Sequence, residues 1–227
     1  VLWLFCMPLF GSIIFQQLYN IADVVIVGRT IGVEALAAVG SVTPLFMMTM
    51  VLTIGLSNGC TVVTGQRYGA GDMDGMRRSI GTCTVLSVLF TLLIMLVFHI
   101  IIDPALVLMN IPLELLEDAK AYVMIIVDGL FAMMGYNLLS GIMRSLGDSK
   151  TPLYFLIVSS VVNIALALFF ILVLGWGVPG SAVALVIAQA ISAILCLAYI
   201  YKRFPQLHIS RKDFRLDGPE VWAHLRM

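Results

Sequence analysis

The chain has 227 residues, of which 61% are hydrophobic and 11% charged, with 13 basic residues balancing 13 acidic ones. A soluble domain is about half apolar and about a quarter charged, so this composition excludes an ordinary soluble protein and leaves an integral membrane protein. Zero net charge gives no footing for a nucleic-acid partner, and none is expected.

A helix that crosses a bilayer needs about 20 mostly apolar residues. Six segments qualify, at roughly 2–27, 35–64, 78–102, 119–143, 152–174 and 179–201. None alternates in polarity as a barrel strand would, so continuous helices are the expected way to satisfy the backbone in lipid. The first segment contains FQQLYNIADVVIVGR, residues 15–29, with two glutamines, an asparagine and Asp23. On a helix Ser12, Gln16, Tyr19 and Asp23 fall on one face, with Asn20 beside it. Pro8 cannot donate to the Leu4 carbonyl, which predicts a kink. The second segment carries Thr53, Ser57, Thr61 and Thr64 on one face, Asn58 alongside, and a further bend at Pro44.

The stretch GQRYGAGDMDGMRRS, residues 65–79, reads as a glycine-rich loop. Its GAGDMDG core lacks the Walker lysine and the closing glutamate of a calcium loop, so it is read as a turn. His99 ends the third segment and is read as interfacial. DPALVLMNIPLELLEDAK, residues 103–120, has room for a short interfacial helix. The fourth segment contains Asp128, which either faces a cavity or pairs locally, and also Tyr136 and Asn137. RSLGDSKTP, residues 144–152, reads as a loop with Thr151 as N-cap and Pro152 at the first helical position. The fifth segment contains Asn163. GWGVPGS, residues 175–181, is a tight turn before the sixth.

The basic residues are unevenly placed. Eleven of the 13 lie in the second-to-third turn, the fourth-to-fifth turn or the tail, against Arg29 and Lys120 on the other side. Basic loops stay inside, so these turns and both ends are expected in the cytoplasm, of a bacterial inner membrane. The chain opens at Val1 within an apolar run, with no charged n-region or cleavage site, so no signal peptide is read. Both ends look cut, which predicts a fragment. Residues 1–203 would form a six-helix lobe and 204–227 a cytoplasmic linker.

Cys6, Cys60, Cys83 and Cys196 fit neither a zinc nor a disulfide spacing and are read as small apolar fillers. No nucleophile–base pair, nucleotide loop or metal cluster appears, so no enzyme activity, metal or cofactor is expected. The serines and threonines are read as interhelical glue. Asp23 calls for more, because an aspartate at the centre of a membrane helix costs about 2.5–3.5 kcal/mol.

QQLYNIADVVIVGR, ALAAVG, GQRYGAGD, MRSLGDSKTPL and LGWGVPGSAVA, in this order, resemble the multidrug and toxic compound extrusion family. The resemblance implies twelve helices in two six-helix lobes, of which this chain is the N-terminal one, set in a lipid bilayer and completed by a missing C-terminal lobe. It implies export of drugs or organic cations by alternating access, in exchange for protons or sodium ions. Asp23 matches the acidic position of the family's first helix, where coupling cations act, and Asn163 the asparagine of the fifth. Family members often have an aspartate four residues after that asparagine and a threonine in the sixth helix; here Ala167 and Leu185 stand there. Both departures remove oxygen ligands from a sodium site, which favours a proton. Gln16, Tyr19, Asn20, Ser57, Tyr136 and Asn137 are the cavity-lining candidates. Two other readings stay open: a flippase of an amphipathic, lipid-linked substrate, and a membrane partner that transports nothing. A flippase of anionic lipids would want Arg or Lys deep in a span, and none is there.

Overall fold

The structure is a computed structural model that describes residues 24–109, 111–204 and 207, together with residues 7, 10, 11, 14, 15, 17 and 21. The described residues form an all-α bundle. Residues 24–30 are helical and lead through a turn at Ile31 and Gly32 into α1, Val33–Gly69. Then come α2, Met73–Leu108, α3, Leu113–Asp128, and α4, Leu130–Ser145. The bundle closes with α5, Lys150–Leu168, a π-helical turn, Phe169–Val173, and α6, Gly177–Arg203.

Four of these helices are long and apolar enough to cross a membrane, counting α5 with its π-turn as one. α3 and α4 together, bent by 45° at Gly129, are long and apolar enough to form a fifth span if they cross as one. Most of the first expected span, 2–27, lies outside the described residues. α1 and α6 are the organising helices: α1 packs on α2, α3 and α4, and α6 on α3, α4 and α5.

Three local expectations are corrected. The 65–79 stretch is mostly helix, because α1 runs to Gly69 and α2 restarts at Met73. Polar side chains do not stop a helix that has left the bilayer, and 37 residues at about 1.5 Å each outrun a hydrocarbon core of about 30 Å. The remaining turn needs Gly71, at φ +76°, and Asp72, whose carboxylate accepts the Gly75 N–H at 2.8 Å. Second, no separate interfacial helix fills 103–120: α2 continues through Pro104 to Leu108, and α3 begins at Leu113. Third, α5 starts at Lys150 with Ser149 at the N-cap. Asp148 accepts both the Thr151 N–H, at 3.0 Å, and the Thr151 hydroxyl, at 2.7 Å. Pro152 is therefore the third helical residue, where the missing N–H still has no intrahelical partner to lose.

The buried hydroxyls hold helices together. Ser159 donates to the Ala188 carbonyl at 2.8 Å, Ser192 to that of Phe155 at 3.3 Å, and Thr64 and Ser79 share a 3.1 Å bond between α1 and α2. Thr53 and Thr61 instead bond back to the carbonyls four residues earlier in α1.

Candidate functional site

Asn163 lies in the second half of α5 with 0% of its surface exposed. Neither its Oδ1 nor its Nδ2 meets a hydrogen-bond partner. A buried polar group left unpaired costs about 1–3 kcal/mol. Its neighbours on α5 avoid that cost: Ser159 bonds across to α6, and Ser160 donates to the Leu156 carbonyl at 2.8 Å. Among the described residues only the Thr82 and Ser87 hydroxyls of α2 share the unpaired state.

The surroundings of Asn163 are small and apolar. Ala167, one turn further along, is fully buried and clusters with Ile171 and with Ala184 of α6. Ile26 and Ile31 pack against this cluster. Towards the other end of α5, a Cβ placed on Gly11 would lie 3.6 Å from Leu153. Gly11 therefore lies near the start of α5, and Ile26 near the small cluster that Ala167 and Ala184 form. Leu185, 6% exposed, belongs to the larger core cluster of α1, α2, α3 and α6. Neither Ala167 nor Leu185 brings an oxygen to Asn163.

The other sequence candidates divide. Asp23, Gln16, Tyr19 and Asn20 lie outside the described residues. Tyr136 is 8% exposed, and its hydroxyl donates to the Pro152 carbonyl at 3.3 Å, linking α4 to α5. Asn137 is half-buried and donates Nδ2 to the Met133 carbonyl of its own helix at 2.9 Å. Ser57 is buried in the α1–α4 seam, where a Cβ on Gly141 would lie 3.4 Å from its Oγ. Asn58 is exposed. An apolar groove of about 460 Å³ between α2, α4 and α6, walled by Ile80, Leu138, Leu139, Leu197 and Tyr201, contains none of these candidates.

Two residues weighed separately in the sequence meet in the structure. Asp128, at the end of α3, and His99, on α2, pair at 3.5 Å. Nearer the α2–α3 turn, Lys120 pairs with Asp103. Sequence spacing carries no signal for either contact, since both join different helices.

Comparison with known proteins decides the family. The model of the MatE family matches residues 8–169. The chain belongs to that family. MatE proteins are transporters rather than enzymes, and the chain is a multi-pass membrane protein. The chain is similar to a probable multidrug resistance protein, YoeA, of Bacillus subtilis, with 34% identity over 99% of this chain and 50% of that protein. It is also similar to a probable multidrug resistance protein, NorM, of Thermotoga maritima, at 27% identity over 87% of this chain and 43% of that one. Among solved structures, an outward-facing MATE multidrug resistance transporter matches 97% of this chain and 49% of its own, with a TM-score of 0.90 and 29% identity. An inward-facing one matches 93% and 48%, at 0.85 and 31%. The chain thus spans about half the length of the relatives it matches.

Proposed function

We propose that this MatE chain is the N-terminal lobe of an exporter of drugs or organic cations, driven by protons that bind at Asp23 beside Asn163. The observation that carries this reading is the Asn163 amide, fully buried and unpaired. A polar group kept there at a cost suits a partner whose hydrogen bonding changes during the transport cycle.

The described residues of the N-terminal segment give further support. Met7, Phe10, Ile14, Ile21 and Val24 are exposed. On one helix, positions 12, 16, 19 and 23 fall on the side opposite to these. In the proposed reading this opposite side carries the proton-binding carboxylate. A carboxylate removed from water holds its proton more tightly, which lets it exchange protons nearer neutral pH.

Alternating access fits the same picture. The lobe matches solved transporters facing either way with little change in score. We read this as a lobe that moves largely as a body against its partner, with a proton-sensitive first helix setting the balance between states. The basic turns near Arg67, Arg77 and Arg78, and near Arg144 and Lys150, face the cytoplasm in this reading.

The test uses the full-length protein in liposomes. Asp23→Asn keeps shape and hydrogen bonding but cannot titrate; it should insert normally and lose driven export. Asp23→Glu should retain part of the activity with a shifted pH profile. Export by Asp23→Asn at the wild-type rate would leave Asp23 as structural glue and overturn the proposal.

A further inference from the structure

We propose that the groove between α2, α4 and α6 holds an acyl chain of an anionic phospholipid, whose headgroup the basic ends of these helices meet. Ile80 and Thr84 of α2, Leu138 and Ile142 of α4, and Leu197 and Tyr201 of α6 line the groove, which has a volume of about 460 Å³. Its floor is packed: Ile80, Leu138 and Ile142 are buried. Its rim is open: Leu197 is 57% exposed and Tyr201 67%. Ile194, also exposed, continues this apolar stripe one turn earlier on α6. A stripe of exposed apolar side chains along a helix marks a surface that meets a membrane or a partner.

Shape decides between those occupants. The groove follows α4 from Gly135 to Ile142 and α6 from Leu197 to Phe204, about 10 Å along each helix. Spread over that length, its volume gives a cross-section of about 45 Å². A helix about 10 Å across has a cross-section of about 80 Å², so a helix of a second lobe or of a second copy does not seat in it. An extended hydrocarbon chain does.

Charge decides the kind of lipid. The three helices bring basic residues to one end of the groove. Arg78 is two residues from Ile80, Arg144 two from Ile142, and Lys202 and Arg203 lie between Tyr201 and Phe204. The nearby carboxylates are engaged: Asp74 pairs with Arg77 at 3.8 Å, Asp72 accepts the Gly75 N–H, and Asp148 accepts from Thr151. Arg78, Lys202 and Arg203 are exposed and enter no ion pair among the described residues. Tyrosine beside lysine and arginine is the composition of a membrane–water interface. Basic pockets between membrane helices bind anionic headgroups. A chain lying in the groove brings its headgroup to that end.

The test places p-benzoylphenylalanine at Tyr201 of the full-length protein, in nanodiscs of equal phosphatidylglycerol and phosphatidylcholine. Leu92, exposed on α2 outside the groove, is the control position. Irradiation joins the probe to whatever lies beside it, and mass spectrometry identifies the adduct. One Lys or Arg near an anionic lipid favours binding by about fivefold, so the ratio of phosphatidylglycerol to phosphatidylcholine adducts at Tyr201 should exceed that at Leu92 by at least about fivefold. Lys202→Gln with Arg203→Gln should bring the ratio down to that at Leu92, and Lys202→Arg with Arg203→Lys should keep it. Thr84→Trp, which fills the groove, should also remove the preference. Adducts with residues 208–227, with the second lobe or with a second copy would overturn the proposal. Equal ratios at Tyr201 and Leu92 would show ordinary surrounding lipid and overturn it as well.

Discussion

Gly141 of α4 and Thr61 of α1 approach so closely that a Cβ on the glycine would lie 2.2 Å from the threonine Oγ1. That hydroxyl already donates to the Ser57 carbonyl at 2.8 Å, so it cannot swing away without losing a bond. Close approach at a small residue is how membrane helices gain packing contacts in the absence of a hydrophobic drive between them. Gly141→Ala should therefore destabilise the lobe by about 1–3 kcal/mol, the usual range for overpacking. Adding Thr61→Ala should recover much of the loss. A double-mutant cycle from denaturation in detergent measures this; additive effects would place the seam elsewhere.

Asn163→Leu should barely change the stability of the lobe, within about 1 kcal/mol, because the side chain it removes makes no hydrogen bond. In the full-length protein the same change should reduce driven export at least tenfold. Thermal unfolding and liposome transport separate the two readouts. A large stability loss with normal transport would make Asn163 a structural residue.

The orientation rests on exposed positions at the basic turns. Asp74 and Lys150 are exposed there. Single cysteines at these positions, with Cys6, Cys60, Cys83 and Cys196 replaced, should resist an impermeant thiol reagent in intact cells and react after lysis. Labelling of either from outside would invert the topology.

The start of α5 depends on one carboxylate. Asp148 receives two donors from Thr151, and Asp148→Ala should cost about 0.5–2 kcal/mol, as the loss of a helix cap does. Asp148→Asn should retain most of that stability, because its amide oxygen still accepts. Equal losses in the two variants would show that the turn around Gly147, rather than the cap, sets the helix start.

Much of the fold was legible in the sequence, because a span announces itself by some 20 apolar residues whatever its partners. Helix ends were not. Arg67, Tyr68 and Arg77 look like loop beside a membrane span, yet they belong to α1 and α2, because polar side chains at the membrane edge do not stop a helix. The bend at Gly129 carried no proline to mark it. Its cause is tertiary: a Cβ there would lie 2.2 Å from Val186 of α6. At the candidate site, Asn163 was legible only through the family resemblance, since one asparagine among apolar residues has no period. Its unpaired amide needed the packed lobe to be seen. The His99–Asp128 contact was invisible for the same reason, with the two residues 29 positions apart on different helices.

The central claim is that this lobe couples export to protons, and ion substitution in liposomes tests it most directly. The purified full-length protein should drive export of a fluorescent organic cation under a pH gradient with sodium absent. It should fail under a sodium gradient with equal pH on both sides, because Ala167 and Leu185 supply no oxygen ligands near Asn163. Transport driven by sodium alone would contradict the account.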